Sequence, residues 1–397
     1  TSGSGVDLVE GVAGAGKTFA LAAANQAWTD SGYIVIGCAL AAKAARQLQT
    51  DADIPSHTID RLLIDLDRSE HGGLGPNTVI VVDEAAMVGT RKVLRLLDHA
   101  QRADAKVVLV GDPCQLPEIE AGGAFVGLRR RLDASHLSEN RRQREPWERA
   151  ALARLRAGDA DAALDVYIRQ GRVEVAPTGD EARSRMVGDW LDACRPGTAV
   201  MLASRRVDVD ALNNSARAAL RGEGTIGPDQ VVIAGHGYTA RELVVALRND
   251  RRLGLLNGTR ALVEHIDVDA RVMRCRTDDH QAVSIPFDYA ADGHLTHGYA
   301  MTIHKSQGAT YDRCLILAGD QLTKESAYTA MSRGRLDNTL YLVDDNARDA
   351  EGHSREIESS LVDRVRQSIG RSGAQSMAID LTPPPGHDND LDFEMDL

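Results

Sequence analysis

The stretch that decides the fold is Gly11-Val-Ala-Gly-Ala-Gly-Lys-Thr18, which matches the pattern G-x-x-x-x-G-K-[ST]. The apolar run Val6–Glu10 precedes it, and a stretch with helical spacing, Lys17–Ser31, follows it. A glycine-rich turn between a strand and a helix lets backbone N–H groups surround a phosphate, and the helix N-terminus adds partial positive charge. An ordinary glycine-rich turn is the alternative. The predicted phosphate-binding residues are Gly11, Gly14, Ala15, Gly16, Lys17 and Thr18.

Two carboxylates follow the next predicted buried strand, Thr78–Val82. They are Asp83 and Glu84, and a parallel sheet presents its ligand-binding edge at the carboxyl ends of its strands. We expect Thr18 and Asp83 to hold Mg²⁺ and Lys17 to reach the β- and γ-phosphates of a nucleotide. Glu84 is expected to orient and deprotonate an attacking water. Alternatively, the acidic pair only caps the following helix.

A polar turn, Gly111–Pro117, ends a third predicted strand at Lys106–Val110. It contains Gln115, whose amide can hydrogen-bond both a γ-phosphate and an attacking water. Gln115 is therefore predicted to report the nucleotide state.

The chain alternates apolar, β-branched runs with helical stretches, which indicates parallel strands covered by helices on both faces. A second such set contains the predicted strands Ala199–Ala203, Cys314–Leu317 and Thr339–Val343. Between these, residues 230–286 change to short strand-like pieces separated by Gly, Asn and Asp, which predicts an all-β insertion. The sequence therefore predicts two α/β domains with a small β insertion.

The 397 residues are 43% apolar and 4% aromatic and carry a formal net charge of −12, so any site for nucleic acid must be a local one. No apolar run is long enough to span a membrane and no signal segment begins the chain, so we expect a cytoplasmic protein. The five cysteines lie far apart, which fits reduced thiols better than disulfides or a zinc site. His294 and His297 are the nearest histidine pair, and we do not expect them to bind metal.

Further motifs follow in order, and together with the first three they carry a resemblance to a known family. They are Cys38–Ala45, Ser56–Asp60, Glu139–Gln143, Thr302–Gly308 and Tyr328–Arg335. The set resembles motifs I to VI of superfamily 1 helicases. The sequences of these motifs are most similar to the RecD-like branch, and within it to the helicase region of TraI/TrwC-type conjugative relaxases. The resemblance extends over about residues 5 to 345.

The resemblance implies two RecA-like parallel-sheet P-loop domains with an SH3-like all-β insertion. It also implies ATP and Mg²⁺ as cofactors and 5′-to-3′ movement on single-stranded DNA. Arg142 and Arg333 would act across the domain cleft as arginine fingers on the γ-phosphate, a role that increases the rate by about 10³-fold or more. Either arginine could instead form a surface ion pair. With Lys17, Glu84 and Gln115 they complete the predicted catalytic set.

The resemblance also implies which residues contact DNA. His304, Lys305 and Ser306 stand at a strand-to-helix turn, where Ser306 could alternatively act as a helix cap. The predicted nucleic-acid contacts are Thr58, Ser204, Arg205, Thr302, His304 and Lys305. Because aromatic residues are scarce, we expect the DNA backbone to be tracked more than its bases are stacked. The short segment Ser69–Asn77 is the candidate for a strand-separating wedge, or else a plain loop.

The resemblance divides the chain into five predicted segments. Residues 1–135 form the first RecA-like ATPase domain with motifs I, Ia, II and III, and 136–229 hold connecting helices and the start of the second domain with motif IV. Residues 230–290 form the insertion, and 291–350 complete the second domain with motifs V and VI. Residues 351–397 contain a helix and an acidic tail that we expect to be disordered.

Two features of the family have no counterpart in this sequence, namely the adenine-reading Gln motif upstream of the phosphate loop and the relaxase nuclease. We therefore expect a helicase core of the conjugative type without its relaxase domain, with proteins of the conjugation machinery as possible partners. One alternative is a DNA-stimulated ATPase that does not unwind duplex. Another is a non-enzymatic remnant of a split relaxase gene that binds DNA or partner proteins.

Overall fold

The computed structural model of the protein describes residues 3–68, 74–118, 120, 122–176, 178–194, 198–343 and 354–374. Side chains of residues 354–360 are outside this description. The acidic tail from residue 375 onward also lies outside the described residues, as do residues 69–73 of the candidate wedge Ser69–Asn77. These two predictions therefore stay predictions.

The first domain is a parallel sheet of six strands, in the spatial order β3-β2-β4-β5-β1-β6. The strands are β1 (Val6–Gly11), β2 (Ile34–Ala39), β3 (Ser56–Thr58), β4 (Thr78–Asp83), β5 (Lys106–Gly111) and β6 (Ala134–Leu137). The helices around it are α1 (Lys17–Asp30), α2 (Ala42–Ala52), α3 (Ile59–Arg68), α4 (Thr90–Arg102) and α5 (Ala124–Arg129). The central strands β4 and β5 are buried along most of their length because helices cover both faces.

Two helices, α6 (Pro146–Ala157) and α7 (Ala160–Arg169), connect the two domains. The chain turns between them at Gly158, which has a φ of 95° and ends α6. The side chain of Asp159 then caps α7 by accepting a hydrogen bond from the Ala162 amide at 3.2 Å. Two connecting helices therefore lie within the predicted segment 136–229.

The second domain is a parallel sheet of five strands in the order β16-β8-β17-β18-β7. Before the insertion come β7 (Val173–Val175), α8 (Gly179–Cys194), β8 (Ala199–Ala203) and α9 (Arg206–Gly222). The insertion holds β9 (Val231–Ile233), β10 (His236–Tyr238), β11 (Leu243–Ala246), β12 (Arg260–Asp267), β13 (Val272–Thr277), β14 (Ala282–Pro286), α10 (Phe287–Ala291) and β15 (Leu295–His297). The chain then continues with β16 (Ala300–Thr302), β17 (Tyr311–Ala318), α11 (Lys324–Met331), β18 (Gly334–Leu342) and α12 (Ser354–Gly370).

The inserted strands form an antiparallel sheet in the order β14-β13-β12-β11-β15, and β9 and β10 form a separate two-stranded ribbon. The predicted β insertion is therefore present, but it is not all-β, because it also contains the short helix α10. Strand β15 pairs with β11, so the insertion sheet continues to His297, past the predicted limit at residue 290. Strand β6 pairs with β1, so the first sheet continues to Leu137. The two parallel sheets and the inserted antiparallel sheet agree with the predicted architecture. The other predicted domain limits stay predictions.

Each sheet has its own aliphatic core, and the second core reaches into the first domain. One cluster of buried side chains on the second sheet includes Ala13 from the loop after β1 and Leu116 from the loop after β5. The Leu116 amide also donates to the Thr329 hydroxyl at 3.1 Å. Loops at the carboxyl edge of the first sheet are therefore packed directly against the second domain.

Candidate functional site

The loop from Gly11 to Thr18 adopts the backbone conformation that a phosphate cradle requires. Gly14 and Gly16 both have a φ of 77°, in the left-handed region that glycine tolerates and other residues avoid. Space also selects glycine, because a Cβ on Gly14 would lie 2.6 Å from the Cβ of Arg142, and one on Gly11 would lie 2.5 Å from the Cγ of Lys17. The glycines therefore allow close approach of two cationic side chains to the loop.

The donor set of this loop fits a triphosphate. Helix α1 starts at Lys17 after Gly16, which has no side chain to cap the first turn, and the first turn holds no acidic residue. Its N-terminal N–H groups and dipole therefore favour an anion. The Lys17 ammonium donates to the Gly11 carbonyl at 3.1 Å, which keeps the charge over the loop. The Thr18 hydroxyl belongs to the same first turn.

Strands β4, β5 and β1 lie side by side, so the residues that follow them meet at one edge. Asp83 ends β4, and Glu84 follows with a φ of 51°, a left-handed conformation that turns the chain sharply. Burial, together with repulsion by Glu84, raises the pKa of Asp83 to about 6, although Lys17 opposes the shift. Asp83 and Thr18 offer the oxygen ligands that Mg²⁺ prefers.

Asp83→Asn is expected to stabilise the protein in the absence of divalent metal. With its pKa raised, folded Asp83 keeps its proton up to about pH 6, whereas an unfolded aspartate loses it near pH 3.8. The charged carboxylate therefore costs stability increasingly from about pH 4 to pH 6, and the cost is constant above that. Asparagine removes the cost, on the order of 1–3 kcal/mol. Urea unfolding between pH 4 and 8 measures it, and exposed Asp269→Asn serves as the control. Equal stability of parent and Asp83→Asn at pH 8 would contradict the assignment.

A tyrosine from the second domain fastens the phosphate loop. The Tyr328 hydroxyl accepts a hydrogen bond from the Ala13 amide at 3.1 Å and donates one to the Asp112 carboxylate at 3.0 Å. Arg156 lies 3.6 Å from the other oxygen of Asp112 and also pairs with buried Glu10. This buried network connects the ends of β1 and β5 with α6 and α11.

The two predicted arginine fingers lie at the same edge. Arg333 is 2% exposed, and its Nη2 lies 3.3 Å from Oε1 of Gln115. Its guanidinium also donates to the Thr329 carbonyl at 2.9 Å. The Arg142 guanidinium donates to the Ser332 carbonyl at 2.9 Å, which places it next to Arg333. The fold therefore brings Arg142 to the glycine loop and Arg333 to Gln115.

The electrostatics of this arginine pair favour an anionic ligand. Burial, together with the charge of Arg333, lowers the pKa of Arg142 to about 9, and burial lowers that of Arg333. Glu84 acts in the opposite direction on both. Two enclosed guanidinium groups facing a glycine-rich loop would be stabilised by the negative charges of a triphosphate.

Residues of the predicted DNA motif after β16 line a cavity of about 200 Å³ beside the carboxylate edge. His304 and Lys305 lie on its wall together with Lys43 of α2, and Glu84 and Gln307 border it as well. The Thr302 hydroxyl accepts a hydrogen bond from the Lys305 amide at 3.4 Å and so caps the short 3₁₀ turn Ile303–Ser306. Ser306 is fully buried and donates to the Ile303 carbonyl, so it offers no hydroxyl to a ligand.

The other predicted DNA contacts, Thr58, Ser204 and Arg205, do not line this cavity. Thr58 ends β3 beside Ala39 of β2, and its hydroxyl accepts from the Arg61 amide at 3.3 Å. Arg205 forms a two-pronged ion pair with Asp208 at 2.7 and 3.1 Å. The Ser204 hydroxyl is buried and has no hydrogen-bond partner among the described residues. Their roles toward DNA stay predictions.

The sequence analysis assigns no role to three residues of the site, namely Tyr328, Arg156 and Gln307. Tyr328 and Gln307 lie inside motifs that the sequence shows, so their positions were visible without their roles. Arg156 stands in an Ala/Leu/Arg-rich helix that gives no signal.

The histidine pair of the insertion has structural partners. The imidazole of His297 lies 3.7 Å from the carboxylate of buried Glu242, and His294 lies 2.9 Å from Arg248. Among the residues that the structure describes, no cluster of three or more His, Cys, Asp and Glu could hold a metal ion. None of the described helices combines the length and apolar character needed to cross a membrane.

Comparison with known proteins gives the same grouping as the motifs. A family model described as an AAA domain matches residues 1–178. The conjugal transfer protein TraA of Rhizobium radiobacter is 39% identical over 342 residues, which cover 85% of this chain and 31% of TraA. The RecBCD enzyme subunit RecD of Mycolicibacterium smegmatis is 33% identical over 288 residues, covering 66% of this chain and 49% of RecD.

The fold is also that of a solved helicase structure. Pif1 from Bacteroides, in its crystal structure bound to single-stranded DNA, superposes with a TM-score of 0.56 at 19% identity, covering 92% of this chain and 95% of Pif1. The chain spans about a third of the TraA protein and about half of the RecD protein that it matches. The similarity therefore concerns only a part of each relative.

Proposed function

The chain is a relative of the RecD-like superfamily 1 helicases, and from this premise we propose that it is an ATP-dependent DNA helicase core that moves along single-stranded DNA. The observation that carries the proposal is the meeting of two sheets at one edge. Arg333 of the second domain contacts Gln115 of the first at 3.3 Å, beside a glycine loop and the Asp83-Glu84 pair. This is the residue set that phosphoryl transfer to water needs.

Each residue has a defined role in this mechanism. The loop amides and Lys17 bind the β- and γ-phosphates, and Glu84 orients the attacking water and takes its proton. Gln115 lies between the phosphate edge and Arg333, so it can sense whether the γ-phosphate is present. Arg142 and Arg333 stabilise the negative charge that develops on the transferred group. Mg²⁺, held by Thr18 and Asp83, would neutralise charge on the phosphates.

The proposed DNA site is the cavity beside Glu84, whose wall includes His304, Lys305 and Lys43. Cationic side chains in a groove bind the phosphate backbone without regard to sequence. We place the protein in the cytoplasm, acting 5′ to 3′ in the manner of a conjugative helicase, with proteins of the conjugation machinery as partners. The similarity to TraA supports the conjugative assignment.

Several other cations that could follow a DNA strand already have acidic partners. Arg46 pairs with Asp279 at 3.4 Å, and Arg129 pairs with Glu10. Binding at these positions would require exchange of one partner for a phosphate, which contributes little net free energy. Lys305 is therefore the more informative residue to change.

We expect single-stranded DNA to stimulate ATP hydrolysis. We also expect Lys305→Ala to weaken the binding of single-stranded DNA about tenfold, or about 1.4 kcal/mol. The loss of one phosphate contact should also reduce the slope of log affinity against log salt by about one. Fluorescence anisotropy of a labelled oligonucleotide at several salt concentrations measures both. Lys106→Ala is the matched control, because Lys106 begins β5 at the opposite edge and pairs with Asp7.

The outcomes separate the three candidate functions. A parent protein that hydrolyses ATP with single-stranded DNA but leaves a forked duplex intact is a translocating ATPase without unwinding. A parent that binds the oligonucleotide but hydrolyses no ATP is a non-enzymatic binding protein. Equal DNA affinity of the parent and Lys305→Ala at every salt concentration would remove Lys305 from the DNA site.

A further inference from the structure

The catalytic glutamate is held from the DNA side by a glutamine. The Gln307 side-chain amide donates to the Glu84 carboxylate, with Nε2 and Oε2 3.4 Å apart. We propose that Gln307 is a positioning residue that restrains Glu84 until single-stranded DNA binds, so that DNA controls the availability of the catalytic base. The inference rests on the proposed function and assigns its regulation to one contact.

Gln307 is bonded to the same turn as the DNA-binding candidates His304 and Lys305. It directly follows the 3₁₀ turn Ile303–Ser306, and its backbone N–H donates to the His304 carbonyl at 3.3 Å. The Thr302 cap and the buried Ser306 hydroxyl close the same turn. A phosphate that shifts His304 or Lys305 therefore shifts Gln307 as well.

The restraint and the DNA candidates share one space. Glu84 and Gln307 both border the cavity of about 200 Å³ on which His304, Lys305 and Lys43 also lie. The Glu84 carboxylate thus faces the DNA side at Gln307, while the charges of Arg142 and Arg333 attract it from the phosphate side. Two positions of one carboxylate, one held by an amide and one by guanidinium groups, give a simple switch.

The strength of the contact suits a restraint that DNA can release. An N···O separation of 3.4 Å lies beyond the common range of 2.7–3.2 Å, so the bond is weak. The Gln307 Oε1 atom is buried and has no hydrogen-bond partner among the described residues, so only the amide nitrogen anchors the side chain to Glu84. Rotation of the amide toward a new partner would satisfy this oxygen and free the carboxylate at the same time.

The test compares ATP turnover with and without single-stranded DNA. Gln307→Ala is expected to raise the DNA-free kcat about threefold to tenfold, as loss of one hydrogen bond allows. The maximal rate with DNA should stay close to that of the parent, so the ratio of the two rates falls by the same factor. Oligonucleotide affinity, measured by anisotropy, should change less than about threefold.

Two further variants separate positioning from packing. Gln307→Met keeps much of the length of the side chain but cannot donate a hydrogen bond, so it should raise the DNA-free rate as alanine does. Restoration of the parent rate by Gln307→Met would show that the side chain only fills space. Gln26→Ala is the matched control, because the exposed Gln26 amide donates to the Asp30 carboxylate at 2.8 Å and Gln26 does not line the cavity.

The result that overturns the inference differs from the one that overturns the proposed function. If the parent is stimulated by DNA and Gln307→Ala shows the same DNA-free rate and the same ratio, Gln307 does not restrain Glu84. If Gln307→Ala instead loses oligonucleotide affinity in parallel with stimulation, the residue contacts DNA and the inference is also wrong. A parent that hydrolyses no ATP contradicts the proposed function itself.

Discussion

Arg333→Ala is expected to lower the kcat of ATP hydrolysis about 10³-fold and to leave the affinity for ATP within a few-fold of the parent. The reason is that a guanidinium on the outer side of the γ-phosphate stabilises charge mainly in the transition state. A fluorescent nucleotide titration measures the affinity, and a coupled assay with saturating single-stranded DNA measures the turnover. Only the combination of retained binding and lost turnover identifies an arginine finger.

The burial of Arg333 makes a folding control necessary. Its guanidinium donates to the carbonyls of Thr329 and Ala309, and alanine would leave these acceptors unpaired in an enclosed space. Arg333→Lys keeps a cation and most of the volume, so it should unfold at a temperature close to that of the parent while still losing turnover. The planar fork that reaches Gln115 is absent in lysine.

Arg335→Ala is the matched control for this experiment. Arg335 lies two residues further along, is 55% exposed at its side chain and pairs with Asp312. Its replacement removes the same charge without touching the phosphate edge, so turnover should stay near the parent value. An equal loss of ATP affinity and turnover in a stably folded Arg333→Lys variant would show that Arg333 binds the ground state instead of acting on the transition state.

The fold was predictable because its decisive residues lie in local patterns. A strand, a glycine loop and a helix follow one another within Val6–Asp30, and the strands of both sheets are continuous apolar runs. Each of these signals depends only on neighbours in sequence. The limits of the insertion were less accessible, since β15 pairs with β11 across about fifty residues and its three-residue length gives no periodicity.

The positions of the proposed catalytic residues were accessible for the same reason, but the contacts that couple them to other parts of the fold were not. Glu84 and Gln115 follow strand ends, and Lys17 begins the helix after the glycine loop, so a local pattern identifies each of them. The contacts of Tyr328 with Ala13 and of Gln307 with Glu84 join residues 315 and 223 positions apart. No local pattern encodes such a distance, and only the packing of the two sheets creates it.

For surface arginines, the sequence predicts DNA contacts at positions that the structure places in ion pairs. The run at Ser204 and Arg205 has the composition of a DNA contact, yet Arg205 pairs with Asp208 three residues ahead on α9. Such a pairing follows from helical spacing and could have been weighed more heavily. The charge of a side chain alone therefore does not distinguish a cation that binds DNA phosphate from one that forms an ion pair within the protein.

The other large effect is expected for Glu84→Gln. The amide has the shape of the carboxylate but cannot accept the proton of the attacking water, so kcat should fall by about 10²- to 10⁴-fold. ATP affinity should be retained, because the loop amides, Lys17 and Asp83 are unchanged. The same titration and turnover assays measure both, and Glu264→Gln in the insertion, where Glu264 pairs with Arg276, is the control.

Glu84→Gln replaces the carboxylate that the Gln307 amide contacts, so the two variants are linked. If Gln307 acts only through the Glu84 carboxylate, adding Gln307→Ala to Glu84→Gln should leave the DNA-free rate unchanged, although Gln307→Ala alone raises it. Such non-additivity is the signature of two residues in one contact. Hydrolysis by Glu84→Gln at the parent rate would mean that another group activates the water. Because Asp83 is the other carboxylate of the pair at the end of β4, and its pKa is about 6, Asp83→Asn would then be the next variant to assay.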